Sequence, residues 1–245
     1  KITEANLCID GYTVEYKNNK PSVKGACNSL YKEEILNGAD PVLKGELVPV
    51  VYKNNKTYKA DISKEWYNYS NKEWANAVIL FDDGKIESDG EIKEESIKEY
   101  YVWIPKYAYK LWNVNSDNLD NVEKPIEIVF GSKAKTEGTN NGDMYLHPAF
   151  TNFNTYGIWV GKFELSYNEE TFTDSATFLS TNPNYESATN PKELIIKPNV
   201  RSLTNKSASE FYTMLYNSHR NLNSHMMTNM EWGAVAYLTN SDYGR

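Results

Sequence analysis

Sulfur and imidazole are scarce in this chain, and the reactions they support lose their usual carriers. Two cysteines, Cys8 and Cys27, and three histidines, His147, His219 and His225, are all that 245 residues hold. His219 and His225 stand six apart, which does not place them on one helical face as a spacing of four would, and no His-Glu-x-x-His arrangement occurs. A structural role is expected for each histidine, and no metal site is assigned to them. Serine and threonine are plentiful, yet no Gly-x-Ser-x-Gly elbow and no Gly-x-x-x-x-Gly-Lys phosphate loop is present, so hydrolase and nucleotide-binding readings lack their signatures. Long apolar runs are missing as well. The longest, Leu47 to Tyr52 and Ala77 to Phe81, are strand-sized, well short of the ~20 residues of a membrane-spanning helix, and the mean hydropathy is −0.65. Positive charge is in deficit: 26 Lys and Arg face 33 Asp and Glu, a net of −7, which argues against a nucleic-acid backbone as partner. No signal or transit peptide opens the sequence; because Lys1 is not an initiator Met, a preceding segment, such as a targeting signal, is expected to have been removed.

The acidity is local. Eight acids (Asp82, Asp83, Glu87, Asp89, Glu91, Glu94, Glu95, Glu99) and three bases (Lys85, Lys93, Lys98) lie between Asp82 and Glu99. Such a run predicts a solvated loop or face. Two clusters would offer hard oxygen ligands to calcium, Asp117, Asp120 and Glu123 or Asp82, Asp83 and Asp89, but neither follows an EF-hand spacing. No cofactor is expected, with calcium the one ion kept open. The cysteines flank two alternating segments around Asn18 and Asn19, a hairpin pattern that brings the flanks together. A Cys8–Cys27 bridge would stabilise the fold by about 3 kcal/mol in the chain-entropy model and would point to an oxidising compartment; the other reading is two unrelated buried thiols.

The periodicities predict an α+β chain with many strands and few helices. A short helix is expected over Ser29 to Asn37, stopped by Gly38. Strands are expected over Leu47 to Tyr52 and Thr57 to Ala60, joined at Asn54 and Asn55, and paired strands over Glu65 to Phe81, turning at Ser70 to Lys72. Tyr100 to Trp112 reads as strand, with Pro105 marking an edge, bulge or boundary. Further strands are expected at Ile126 to Phe130 and Ile158 to Leu165, followed by a long loop from Asn168 to Pro191. Ser207 and Glu210 form a capping box ahead of a helix carrying Ala208, Phe211, Met214 and Leu215. A second helix is expected from Met230 to Leu238 with Thr228 as N-cap. The 19 tyrosines and six tryptophans are the most functional-looking surplus. Trp66, Tyr67, Tyr69 and Trp74 would either line a platform on which sugar rings stack or fill the core of a strand-rich body.

Gly157-Ile-Trp-Val-Gly-Lys-Phe-Glu-Leu-Ser166 resembles the opening strand of the formylglycine-generating-enzyme and sulfatase-modifying-factor family, whose fold is C-type-lectin-like. Lys197-Pro-Asn-Val-Arg-Ser202 with the helix after it, and His225-Met-Met-Thr-Asn-Met-Glu-Trp232 with the residues to Leu238, are similar to that family's proline-led loop, first long helix and Glu-Trp helix, in the same order. Ala39-Asp-Pro-Val-Leu43, Leu47-Val-Pro-Val50, Trp66-Tyr-Asn-Tyr69, Lys72-Glu-Trp-Ala-Asn-Ala-Val78 and Tyr101-Val-Trp-Ile-Pro-Lys106 resemble Gram-positive surface proteins in which a prepilin-like N-terminal helix precedes such a body. The resemblance implies three parts: a pilin-like remnant over 1–38 with its disulfide-tied hairpin, a strand-rich aromatic body over 39–135, and the first half of a lectin-like domain over 136–245. Family domains continue past the Glu-Trp helix, so a chain ending at Arg245 is expected to be a fragment or one half of a nicked domain. It implies an extracellular or cell-surface protein of a Gram-positive-type bacterium, a minor-pilin or adhesin-like binding or structural protein. Its partners would be a glycan or protein ligand, other pilin-like subunits and its own cleaved C-terminal half. The family's oxidase chemistry needs a thiol pair that binds copper; Cys8 and Cys27 lie outside the lectin-like part, so no enzyme is expected. The alternatives are such an oxidoreductase completed by a C-terminal half, and a phage or retroelement-diversified receptor-binding protein.

Overall fold

Turn chemistry and alternation build the central sheet. The computed structural model describes residues 7–9, 12–17, 20–26, 40–112, 114, 124–151, 155–167, 194–204 and 206–244, the first three stretches as backbone. Strands β4 (Val48–Lys53) and β5 (Lys56–Lys59) form the expected hairpin, with Lys53 opposite Lys56. Asn54 and Asn55 between them both adopt positive φ, 50° and 60°, the two left-handed residues that a tight turn matched to strand twist requires and that asparagine tolerates best after glycine. β6 (Asn76–Leu80), β7 (Glu91–Ile92), β8 (Ile97–Pro105) and, beyond three shorter strands, β12 (Gly157–Gly161) complete an antiparallel sheet in the order β12-β8-β6-β4-β5-β7. β8 is buried along most of its length, and after Lys98 and Glu99 its residues Tyr100 to Pro105 form an unbroken apolar and aromatic run. Pro105 ends it, as expected of a residue without an N–H to give the ladder, and the chain passes through Lys106 into β9 (Tyr107–Lys110) of a second sheet, where β10 (Glu127–Phe130) and β11 (Tyr145–Leu146) flank β9.

Two expected strands are shorter than the alternation suggests. Glu65 to Phe81 is not a pair of strands: Asn68 and Glu73 meet in a single bridge around a 3-10 turn at Tyr69–Asn71. The Asn68 side chain accepts the Asn71 N–H and Lys72 takes φ 60°, closing a loop too tight to extend, while Asn76 onward pairs with β4 and β8 instead. β12 stops at Gly161, and Phe163 leaves the ladder to meet the Tyr100 ring edge-on at 5.7 Å. Gly157 opens β12 because a Cβ there would stand 2.3 Å from the Trp103 ring.

The remaining elements are β13 (Ser166–Tyr167) paired with β14 (Leu194–Ile195), and the helices α1 (Pro148–Thr151), α2 (Ala208–Ser218) and α3 (Asn229–Thr239). Both longer helices open on full capping boxes, Ser207 with Glu210 and Thr228 with Glu231, each satisfying orphan N–H groups reciprocally. The chain is thus α+β, strand-rich and mostly antiparallel, and no described helix is long and apolar enough to cross a membrane. At the N-terminal end β1 (Leu7–Ile9), β2 (Tyr12–Lys17) and β3 (Lys20–Ala26) form a separate small sheet; β2 and β3 pair with Lys17 opposite Lys20, as a hairpin about Asn18 and Asn19 requires. Cys8 lies on β1 opposite Thr13, so β2 stands between its strand and the one that leads to Cys27. Cys27, the helix expected over 29–37 and the loop over 168–191 lie outside the described residues.

The main core draws on residues from both sides of position 135. Trp66, Tyr67, Tyr69, Trp103, Ile104 and Tyr107 pack with Ile128, Phe130, Ala149, Phe150, Ala234 and Leu238, and β12 shares a sheet with β8. Residues on both sides of 135 therefore contribute to one buried cluster. The Tyr107 hydroxyl donates to the Ala234 carbonyl at 2.6 Å, tying β9 to α3.

One acid of the run expected to be solvated is inside. Asp82, Asp83, Glu87, Asp89, Glu94 and Glu95 are exposed and Glu91 is half-buried, but the Glu99 side chain is 2 % exposed. It sits on β8, its oxygens 2.9 and 3.0 Å from His219 Nε2 at the end of α2. Tyr101 donates its hydroxyl and the Lys98 ammonium lies 3.3 Å away. Burial by itself would raise this carboxyl; His219, Lys98 and Tyr101 together hold it below the usual carboxylate range. Removing the carboxylate takes from His219, Lys98 and Tyr101 the anionic partner they share. Glu99→Ala is expected to lower unfolding free energy by about 3–5 kcal/mol, the cost of breaking a buried pair from one side, read as a drop in denaturant midpoint at constant slope.

Candidate functional site

The aromatic quartet belongs to the core. Tyr67 and Tyr69 are each 1 % exposed and Trp66 8 %, while Trp74 is partly buried against the same cluster. Their faces are occupied by one another: Trp66 meets Tyr67 edge-on at 5.1 Å, Tyr67 meets Tyr69 at 5.1 Å, Tyr69 meets Trp74 at 5.2 Å and Phe130 at 5.3 Å. The Tyr67 hydroxyl donates to Asp40 at 2.8 Å, and burial raises the Asp40 carboxyl against the lowering effect of that bond. The buried Trp66, Tyr67 and Tyr69 leave no open face on which a sugar ring could stack. The sequence-level platform is corrected to packing, because edge-to-face contacts among neighbouring rings use the same π surfaces that a ligand would.

Each histidine is held by a specific partner. His147 lies 4 % exposed between Tyr107, Tyr109, Phe150 and Tyr237. Its Nδ1 accepts the Ala149 N–H at 3.3 Å, and burial lowers it from 6.5 to about 4, so it is neutral at pH 7. His219 is engaged with Glu99, as described. His225 donates from Nε2 to Glu231 at 2.9 Å and from Nδ1 to the Asn223 carbonyl at 2.9 Å. Two donated bonds require the imidazolium, and the Glu231 bond foremost raises it from 6.5 to about 9. Glu231, in turn, is buried at the N-terminus of α3. Burial would raise it, but His225 and the Thr228 N–H and hydroxyl lower it. At pH 7 His147 is thus held neutral and His225 charged. Among the described residues no three His, Cys, Asp or Glu side chains are grouped to hold a metal ion. Asp82, Asp83 and Asp89 form no such group; Asp117, Asp120 and Glu123 lie outside the described residues.

What the protein presents outward is a second set of aromatics on the two capped helices. α2 turns Met214 and, in part, Phe211 inward onto Tyr167, Leu194 and Leu203, so Tyr212 and Tyr216, one turn apart, fall on the outer side at 50 % and 44 % exposure. Their rings are parallel within 9° at 5.9 Å, and the Arg220 guanidinium stands 5.0 Å from the Tyr216 centroid. This is a preorganised ladder of two rings and a cation. α3 buries Glu231, Ala234 and Leu238 and leaves Trp232 66 % exposed near Met230 and Met227, which are exposed as well. The outer positions follow from helical spacing, since Tyr212 and Tyr216 are off the Ala208, Phe211, Met214, Leu215 stripe. No family model, no curated protein and no solved structure matches the chain.

The titrating groups set a pH window. His225 is raised, so its contribution to stability is complete below pH 6.5 and is lost as pH climbs through about 9. His147 is lowered, so the unfolded chain takes up a proton below pH 6.5 that the folded chain refuses until about 4, and stability falls on acidification. The melting temperature is therefore expected to decline on both sides of pH 6.5. His225→Gln should flatten the alkaline limb up to about pH 9 and leave the acid limb in place, measured by thermal denaturation at stepped pH.

Proposed function

We propose that this chain is a non-catalytic binding or structural protein displayed outside the cell, of the minor-pilin or adhesin-like kind, and that it meets a glycan or protein ligand through the exposed rings of α2 and α3. The observation that carries the proposal is the ladder of Tyr212, Tyr216 and Arg220 with the two-thirds exposed Trp232. Large rings left in water on rigid, capped helices are disfavoured unless contact uses them, and Trp, Tyr and Arg are the residues that concentrate binding energy at interfaces. The engagement of all three histidines in neutralising or hydrogen-bonded pairs supports a reading without general acid–base chemistry. β12 followed by α2 and α3 in the order of the lectin-like resemblance supports placing 136–245 in that fold, with other pilin-like subunits as further partners.

Binding of the purified chain to a glycan array and to immobilised extracellular-matrix proteins tests this. Trp232→Ala and Tyr212→Ala are expected to weaken the strongest ligand at least about tenfold with unchanged circular dichroism, since both side chains are half-exposed or more. Turnover of a thiol-containing substrate by the isolated chain, abolished by Cys8→Ser or Cys27→Ser, would overturn the reading in favour of an oxidoreductase.

A further inference from the structure

The loop between β10 and β11 sets an asparagine beside a backbone nitrogen that nothing holds. Asn140 to Asp143 form a tight turn: the Asp143 N–H donates to the Asn140 carbonyl at 3.1 Å, and the Asp143 carboxylate accepts the Asn140 N–H at 2.8 Å. The Tyr145 hydroxyl donates to the same Asn140 carbonyl at 2.8 Å, which pins the turn at its base. Asn141 and Gly142 occupy the two central positions. Gly142 takes φ 87°, the value a type II turn requires at its third residue and one that favours glycine. The turn thus selects, directly after Asn141, the residue that has no Cβ.

An asparagine carboxamide is an electrophile, and the amide nitrogen next along the chain can close on it into a cyclic imide. A side chain on the following residue crowds that approach, and a hydrogen bond on its N–H restrains the nitrogen. Neither restraint operates at Asn141. Its side chain is exposed, and among the described residues neither its carboxamide nor the Gly142 N–H has a hydrogen-bond partner. Other described asparagines that precede glycine or serine are guarded. The Ser224 N–H after Asn223 donates to the His219 carbonyl at 3.2 Å, and the Ser241 N–H after Asn240 donates to the Leu238 carbonyl at 3.2 Å. Asn217 and Ser218 lie within α2, where each N–H is held by a carbonyl one turn earlier. Asn28, Asn37 and Asn115, which also precede glycine or serine, lie outside the described residues.

We propose that Asn141 is a site of spontaneous deamidation and isomerisation. The Gly142 nitrogen, having given its proton to hydroxide, attacks Cγ of Asn141. The N–Cγ bond forms, the Cγ–Nδ2 bond breaks, and the nitrogen that leaves takes a proton from water to depart as ammonia. Water then opens the succinimide. Attack at the former side-chain carbonyl gives aspartate; attack at the former backbone carbonyl gives isoaspartate, with the chain running through Cβ and Cγ. No oxidant, metal or second protein is consumed. Either product sets a new carboxylate next to Asp143, and isoaspartate also lengthens by one atom the backbone between the Asn140 carbonyl and the Asp143 N–H. The site is independent of the ligand-binding reading, which uses α2 and α3.

The test is incubation of the full chain at physiological temperature and mildly alkaline pH, followed by peptide mapping in a mass spectrometer. The peptide that holds Asn141 is expected to gain about 1 Da and to become a substrate for a protein isoaspartyl methyltransferase. Conversion should run at least about tenfold faster than at Asn217, Asn223 or Asn240, and should slow on mild acidification. Asn141→Gln, whose ring closure needs one more member, should abolish the product with unaltered circular dichroism. An Asn141 that stays intact in the folded chain overturns the proposal; if it converts once the chain is unfolded in urea, the turn is itself the protection. Conversion to aspartate without isoaspartate also overturns it, since that is direct hydrolysis with no cyclic imide, as do equal rates at Asn223 and Asn240.

Discussion

A buried carboxylate cannot be left alone, and Glu99 puts one in the middle of the largest sheet. Removed from water, its charge is tolerable only if donors surround it, and the fold supplies three: His219 from the end of α2, Lys98 beside it and the Tyr101 hydroxyl. Ile196 is stitched to the same stretch of β8, donating to the Lys98 carbonyl and accepting from the Tyr100 N–H. The segment that leads into α2 and the helix that ends at His219 are therefore both fastened to β8 where the charge lies. Without this arrangement the C-terminal helices would have apolar contact with the sheet but no unique seat on it, since apolar contact is not directional while a carboxylate with three aimed donors is.

The aromatics divide by the geometry of what carries them. Rings from the turn around Tyr69, from β9, β10 and α1 interlock in edge-to-face contacts and form the core that joins the first and second parts of the chain. On α2 and α3, Tyr212, Tyr216 and Trp232 are exposed, while Phe211 and Tyr237 pack inward. The inner set gives rigidity, and the outer set is the surface on which the proposed contact rests. The division explains how a chain with so few reactive side chains would still have a defined outward chemistry, one of π faces and a guanidinium.

Much of the local structure was legible before any coordinates. Asn54-Asn55 announces a turn because asparagine tolerates positive φ; Ser207 with Glu210, and Thr228, announce helix starts because their side chains satisfy orphan N–H groups; Pro105 announces the end of a strand because it has no N–H to give. Glu231 three residues after Thr228 completes a capping box there, and the structure adds His225 as a further partner of Glu231. Each of these signals acts within a few residues of the chain, where sequence and contact coincide.

Composition and neighbour chemistry alone determined that the protein is strand-rich α+β, acidic and without a spanning helix among its described residues, and they placed its capped helices and its tightest turn. Only the tertiary structure decided that Trp66, Tyr67 and Tyr69 are buried in the core, that Glu99 leaves the solvated run of acids, and that residues on both sides of 135 share one cluster. The reason is separation along the chain. His219 and Glu99 are 120 residues apart and Tyr107 and Ala234 are 127 apart; whether a ring or a carboxylate is buried depends on what such distant segments bring to it, and no local pattern of spacing records that.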